Sequence, residues 1–262
     1  MAVEISASTG ALYPGLSPDQ ACEQAAVDGF TGVEFWALDR REVMAVERAV
    51  RTHGLVVTSV NAGTGSGPDD FGLLAVPSAV DEWRRAFAEG LGIARRLRSR
   101  AVNLLVGGRV PSATRDEQLD CARRNLDWAV RSLHEDDPLL LLEPLNGADR
   151  RSPVLRTVDD VLPLVAGRPQ LGILFDAYHL HQEEPDLLAA YDRALPAVRH
   201  VQVADHPGRG EPGTGNAPLS AFLEHLRGSG YDGWVGAELT PSPGTTPADV
   251  LQSLLAGATV AS

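Results

Sequence analysis

Four side chains able to hold a cation recur about one strand-plus-helix unit apart in the second half of the sequence: Glu143, Asp176, Gln202 and Glu238. Each closes a short apolar run that reads as a β-strand: Leu139 to Leu142, Leu171 to Phe175, Val198 to Val201 and Trp234 to Ala237. If those strands are neighbours in a closed parallel barrel, all four side chains converge at its C-terminal mouth, where such barrels carry their chemistry. Three carboxylates and an amide oxygen describe an oxygen site for a hard divalent cation, Mg2+ or Mn2+ rather than zinc. The expected chemistry is metal-assisted, on a small oxygen-rich substrate.

The local sequences sharpen this reading. A carboxylate ending a fully apolar strand is costly to bury unless it is paired or bound to metal, and Leu-Leu-Leu-Leu-Glu143-Pro and Trp-Val-Gly-Ala-Glu238-Leu repeat that arrangement. His179 follows Asp176 by one helical turn if the chain coils there, and a histidine so placed can donate to a substrate oxygen. His181 reads as a surface polar residue. In Arg199-His-Val-Gln-Val203, strand alternation puts His200 and Gln202 on one face and the valines on the other. The polar face belongs in the lumen, with Gln202 as the ligand nearer the mouth and His200 as a hydrogen-bonded interior residue. Arg209 and Glu211 stand in a glycine-rich loop as candidate substrate contacts, since an arginine there suits a bidentate clamp on a carboxylate or hydroxyls. Asn61 ends the third strand as a pocket-lining candidate, and Trp36 follows the second as an apolar wall or a core residue.

The elements that must position these residues alternate through the chain. Strands are expected at Val3 to Ala7, Gly32 to Phe35, Val56 to Val60 and Ala101 to Val106, then at the four runs above. Helices are expected near Pro18 to Asp28, Asp39 to His53, Ala79 to Arg98, Thr114 to His134, Val158 to Val165, Asp186 to Leu195, Pro218 to Arg227 and Pro247 to Leu255. Eight strand-helix rounds imply a single (β/α)8 TIM barrel domain over residues 1–262. Ser17-Pro18-Asp19-Gln20 and Thr246-Pro247-Ala248-Asp249 carry helix-start signals. Ser8-Thr9-Gly10 reads as a plain turn with no GxGxxG, so a dinucleotide fold loses its support. Two long connections, Asn61 to Pro77 and Ala204 to Ala217, are expected as lids over the mouth.

Bulk properties exclude several rivals. All 23 basic residues are arginine. Without lysine there is no Schiff-base aldolase, pyridoxal or P-loop chemistry. A net charge of −12 argues against a nucleic-acid surface. Cys22 and Cys121 suit reduced thiols in a cytoplasmic protein. The sequence shows no leader pattern and no apolar run of the roughly 18 residues a membrane span requires.

The segments LLLEPLN, FDAYH, HVQVADHPGRGEPGTG and YDGWVGAEL, in this order and spacing, resemble the hydroxypyruvate isomerase family of xylose isomerase-like barrels. The resemblance is strong from Leu139 to Leu239 and looser before. It implies that Glu143, Asp176, Gln202 and Glu238 are metal ligands, that Glu143 and Glu238 double as the acid/base pair, and that His179 and Arg209 contact substrate. The implied reaction interconverts hydroxypyruvate and tartronate semialdehyde, or a close hydroxy-oxo acid, through an enediolate. A ketose 3-epimerase or sugar isomerase is the second reading. An endonuclease IV-type enzyme shares the barrel but needs a histidine-rich zinc site and a basic face, against 7 histidines here. The sequence departs from the family in the shorter loop after the third strand and in Ala177-Tyr-His-Leu-His181, both of which touch the substrate pocket. The expected partner is a small hydroxy-oxo acid or sugar, and a homo-oligomer is compatible with this class.

Overall fold

Short apolar runs rich in Val, Leu and Ile pair edge to edge in parallel, and the last pairs back onto the first. The computed structural model describes residues 3–63 and 71–256. Its strands are β1 (Glu4–Ser8), β2 (Gly32–Phe35), β3 (Val56–Ala62), β4 (Ala101–Leu104), β5 (Leu139–Leu142), β6 (Leu171–Asp176), β7 (Val198–Val203) and β8 (Trp234–Ala237). They close in sequence order as a barrel. The helices are α1 (Thr9–Leu12), α2 (Pro18–Val27), α3 (Val43–His53), α4 (Val80–Leu97), α5 (Arg115–Arg131), α6 (Val158–Val165), α7 (Ala177–Glu183), α8 (Leu187–Ala194), α9 (Leu219–Gly228) and α10 (Pro247–Ala256).

Two helices start as their caps foretell. Ser17 and Gln20 form a reciprocal capping box on α2. Thr246 and Asp249 exchange backbone and side-chain hydrogen bonds at the start of α10. The plain turn expected at Ser8-Thr9-Gly10 is corrected: the chain passes directly from β1 into α1. Long-range contacts hold this single turn, with the Thr9 hydroxyl donating to the Glu34 carbonyl at 2.9 Å. A Cβ at Gly10 would lie 2.7 Å from the Trp36 ring, so only glycine lets the indole cover α1.

Apolar side chains divide into two layers. The larger lies between strands and helices and includes the stacked Trp83 and Phe87 (5.4 Å between ring centres) and Phe175 and Phe222 (5.5 Å). A small separate plug of Ala101, Leu141 and Leu174 fills the barrel lumen. Among the described residues no helix is long and apolar enough to cross a membrane. The first expected lid falls partly on residues 64–70, outside the described residues.

Candidate active site

Alternation along β7 turns Val201 and Val203 into the outer layer and leaves His200 and Gln202 for the lumen. Asp176 is the register partner of Gln202, and Gln202 is the partner of Gly236. Glu238 lies two residues beyond Gly236, and Glu143 directly follows β5. The strands thus bring the quartet to one end of the barrel, and all four side chains are buried. Asp176 also caps α7, its Oδ1 accepting from the Tyr178 N–H at 2.8 Å, so the chain coils immediately and His179 returns over the site. His179 Nε2 lies 3.6 Å from Asp176 Oδ2 and 3.8 Å from Glu143 Oε1.

Arg209 supplies the positive charge. Its Nη2 contacts Asp176 Oδ2 at 3.3 Å and makes a closer bond to Glu238 Oε1, and its guanidinium carbon lies 4.8 Å from the centre of the Tyr178 ring. Arg209 has φ 56°, in the left-handed region that non-glycine residues rarely adopt. The surrounding loop enforces it. Asp205 accepts from the backbone N–H groups of His206, Gly213 and Ala217 at 2.8, 2.8 and 3.0 Å, and Thr240 N–H donates to the Arg209 carbonyl at 2.8 Å. A Cβ at Gly215 would lie 2.2 Å from the His206 carbonyl oxygen. The loop expected as a lid is therefore tied down from within, with its arginine already turned inward.

The electrostatics are those of acids crowded out of water. Burial, then the charges of Glu238 and Asp176, push the Glu143 carboxyl well above the usual carboxylate range, against the Asn103 amide that donates to it at 2.8 Å. Burial raises Glu238 from the ordinary 4.5 to about 7, with the Arg209 charge opposing. Burial lowers His179 from 6.5 to about 4, which keeps its ring neutral. The Asn146 backbone N–H, which can only donate, points at His179 Nδ1 from 3.3 Å, and the Asn146 amide nitrogen is 2.7 Å away. The ring proton therefore sits on Nε2, facing the carboxylates.

These facts bear on metal binding. Glu143, Asp176 and His179 each offer one ligand atom, all within 4.8 Å of one another. The tautomer makes His179 a donor rather than a ligand. Gln202 Oε1 is instead a buried acceptor with no hydrogen-bond partner among the described residues, an orphan that a cation would satisfy. With Glu143, Asp176 and Glu238 it makes a set of oxygen donors of the kind a hard divalent cation takes.

Other expectations meet different outcomes. Ala62 faces α4, where a Cβ at Gly90 would lie 2.4 Å from it, so alternation turns Asn61 to the lumen beside its register partner Asn103. The Glu211 carboxylate accepts from the Ser242 N–H at 3.0 Å and the Thr245 hydroxyl at 3.1 Å, tying two loops together. Trp36 is 43% exposed, which excludes a core position, and its indole helps to hold the Glu238 carboxyl down against the effect of burial. His200 is buried as expected, but its partner Glu34 was missed. The signal was available: Glu34 interrupts the apolar run Gly32-Val-Glu-Phe35, as Glu143 ends another. Asn103 and Asn146 carried no such signal.

The chain matches the family model described as Xylose isomerase-like TIM barrel over residues 22–256. It is 36% identical over 233 residues to a putative hydroxypyruvate isomerase of Streptomyces coelicolor, covering 83% of each chain. It is 32% identical over 232 residues to the hydroxypyruvate isomerase of Escherichia coli, covering 85% of this chain and 88% of that one. A 2-oxo-tetronate isomerase of Cupriavidus necator is 28% identical over 225 residues, with 85% and 86% covered.

Proposed function

The chain belongs to the xylose isomerase-like TIM barrel family and, within it, to the hydroxypyruvate isomerase family, and we propose that it interconverts hydroxypyruvate and tartronate semialdehyde, or a close hydroxy-oxo acid, with Mg2+ or Mn2+. The observation that carries this reading is the pair Glu143 and Glu238. Both are buried carboxyls lifted toward the range where a group takes and returns protons near neutrality. They follow strands three apart around the barrel, β5 and β8, and so approach the mouth from different sides.

Glu143, Asp176, Gln202 and Glu238 would hold a divalent cation, which would supply Lewis-acid polarisation of the substrate. One glutamate takes the proton from the hydroxymethyl carbon of hydroxypyruvate. A carboxyl proton then adds to the neighbouring carbon, while the hydroxyl proton passes to the former ketone oxygen, which gives the aldehyde. His179 donates from Nε2 to a substrate oxygen without changing charge, because burial holds its ring neutral. Arg209 faces the substrate carboxylate from the position where it now meets Asp176 and Glu238. The free, buried thiols of Cys22 and Cys121 suit the cytoplasm.

The test is an assay of chelator-stripped protein reloaded with Mg2+ or Mn2+, with hydroxypyruvate beside 2-oxo-tetronate and free ketoses. Turnover of a hydroxy-oxo acid is expected. Activity on the free ketoses alone would refute the assignment in favour of an epimerase or sugar isomerase. Run in D2O, the reaction should place solvent deuterium on carbon, whereas complete retention of the original hydrogen would point to a hydride shift.

A further inference from the structure

Glu34 lies outside the quartet but spans the lumen to reach it. β2 and β7 are separated by β8 and β1, yet Glu34 Oε1 accepts from Gln202 Nε2 at 2.7 Å and Glu34 Oε2 meets His200 Nε2 at 2.7 Å. The carboxyl passes over Gly236, where a Cβ would lie 2.6 Å from both of its oxygens. Only glycine on β8 leaves room for this crossing.

We infer that Glu34 is a positioning residue that fixes which end of the Gln202 amide faces the cation site. This rests on the reading of Gln202 as a ligand. A side-chain amide presents either oxygen or nitrogen after a half-turn, and only the oxygen binds a cation. Flipped, Gln202 would set Oε1 2.7 Å from the Glu34 oxygen, acceptor against acceptor in a buried place. The preference holds whether His200 donates to Glu34 or accepts from it, because the contact with His200 is made by the other carboxyl oxygen. Gln202 Oε1 is left as the buried, unpartnered atom, already pointed away from Glu34. Glu34 thereby turns an ambivalent amide into an oxygen ligand.

The experiment titrates Mn2+ into metal-free protein by calorimetry, with urea midpoints to verify folding. E34Q keeps the shape at position 34 but accepts either amide orientation. G236A keeps every charge but drives the carboxyl out of its place. Both are expected to weaken Mn2+ binding about 10- to 100-fold, as loss of a partner behind a metal ligand does. D176N serves as the control for the site itself. Wild-type Mn2+ affinity in a folded E34Q or G236A, with affinity lost in D176N, would overturn the role of Glu34 and leave the metal site standing. Wild-type affinity in D176N would instead overturn the reading beneath it. If one of the two variants fails to fold, the other decides.

Discussion

Glu238 offers a test of the site's electrostatics that needs no substrate. In the metal-free fold its carboxyl titrates at about 7, against an ordinary 4.5 in the unfolded chain. A folded-state value raised above the unfolded one means that the native state holds the proton more tightly. The group therefore contributes stability that is fully present below pH 4.5 and is lost as pH rises through 7. At about 1.4 kcal/mol per pKa unit the whole span is worth roughly 3 kcal/mol, and most of it falls between pH 5 and 8. His179 acts with the opposite sign. Its folded value of about 4 lies below 6.5, so its contribution is present above pH 6.5 and is lost as pH falls toward 4. The two largely offset in the wild-type curve, so the comparison must be with E238Q, which removes one and keeps the other. Urea unfolding of chelator-treated protein from pH 5 to 8 should show wild type losing roughly 2 to 3 kcal/mol relative to E238Q. Parallel curves for the two proteins would refute the reasoning. Saturating Mn2+ should restore wild-type stability most at the alkaline end, by about 2.7 kcal/mol at one hundred times Kd.

Replacing Glu143 with Gln should lower kcat about 100- to 10,000-fold, the usual worth of a general acid or base, and unchanged turnover would exclude its proton-transfer role. Asp205→Ala removes the acceptor of three backbone N–H groups, so the 205–217 loop should loosen. Limited proteolysis should then cut within it, and kcat/KM should fall with the displacement of Arg209 while Mn2+ affinity survives. Leu141→Ala hollows the lumen plug, where the side chain is fully buried, and should cost about 2 to 5 kcal/mol in urea unfolding with no change in the pH dependence of the site.

How much of this was legible in the sequence depended on whether a residue's partner was local. The strand ends at Glu143, Asp176 and Glu238 were readable because an acid after an apolar run breaks the pattern within a few residues. β7 was readable because His200 and Gln202 alternate with valines. α1 was not, since four residues carry no helical period and contacts with Glu34 and Trp36 hold the turn. The loop-tying bonds of Glu211 were hidden for the same reason: its charge was visible in the loop, but Ser242 and Thr245 are more than thirty residues away. Glu34 breaks its apolar run in mid-strand rather than at the end, and its meaning depends on a reach across the barrel that only the closed fold supplies. Asn103 and Asn146 became meaningful only with the strand register and the return of α7.

The departures from ordinary folding rules are concentrated at one end of the barrel. Four acids, Glu34, Glu143, Asp176 and Glu238, are buried there around a single arginine whose backbone sits at positive φ. Of the eight buried polar atoms without a partner among the described residues, four belong to Ser6, Ser8, Asn103 and Gln202, which line the same lumen. Deeper in the lumen, Ala101, Leu141 and Leu174 obey the rules and simply fill space. A fold selected for stability alone would carry that apolar packing upward, because buried like charges and orphan acceptors both raise the free energy of the native state. The contrast within one lumen ties the cost to function. It also explains the sign expected for Glu238: a site arranged for a divalent cation is least comfortable without one when its carboxyls are ionised, and gains most from Mn2+ under those conditions.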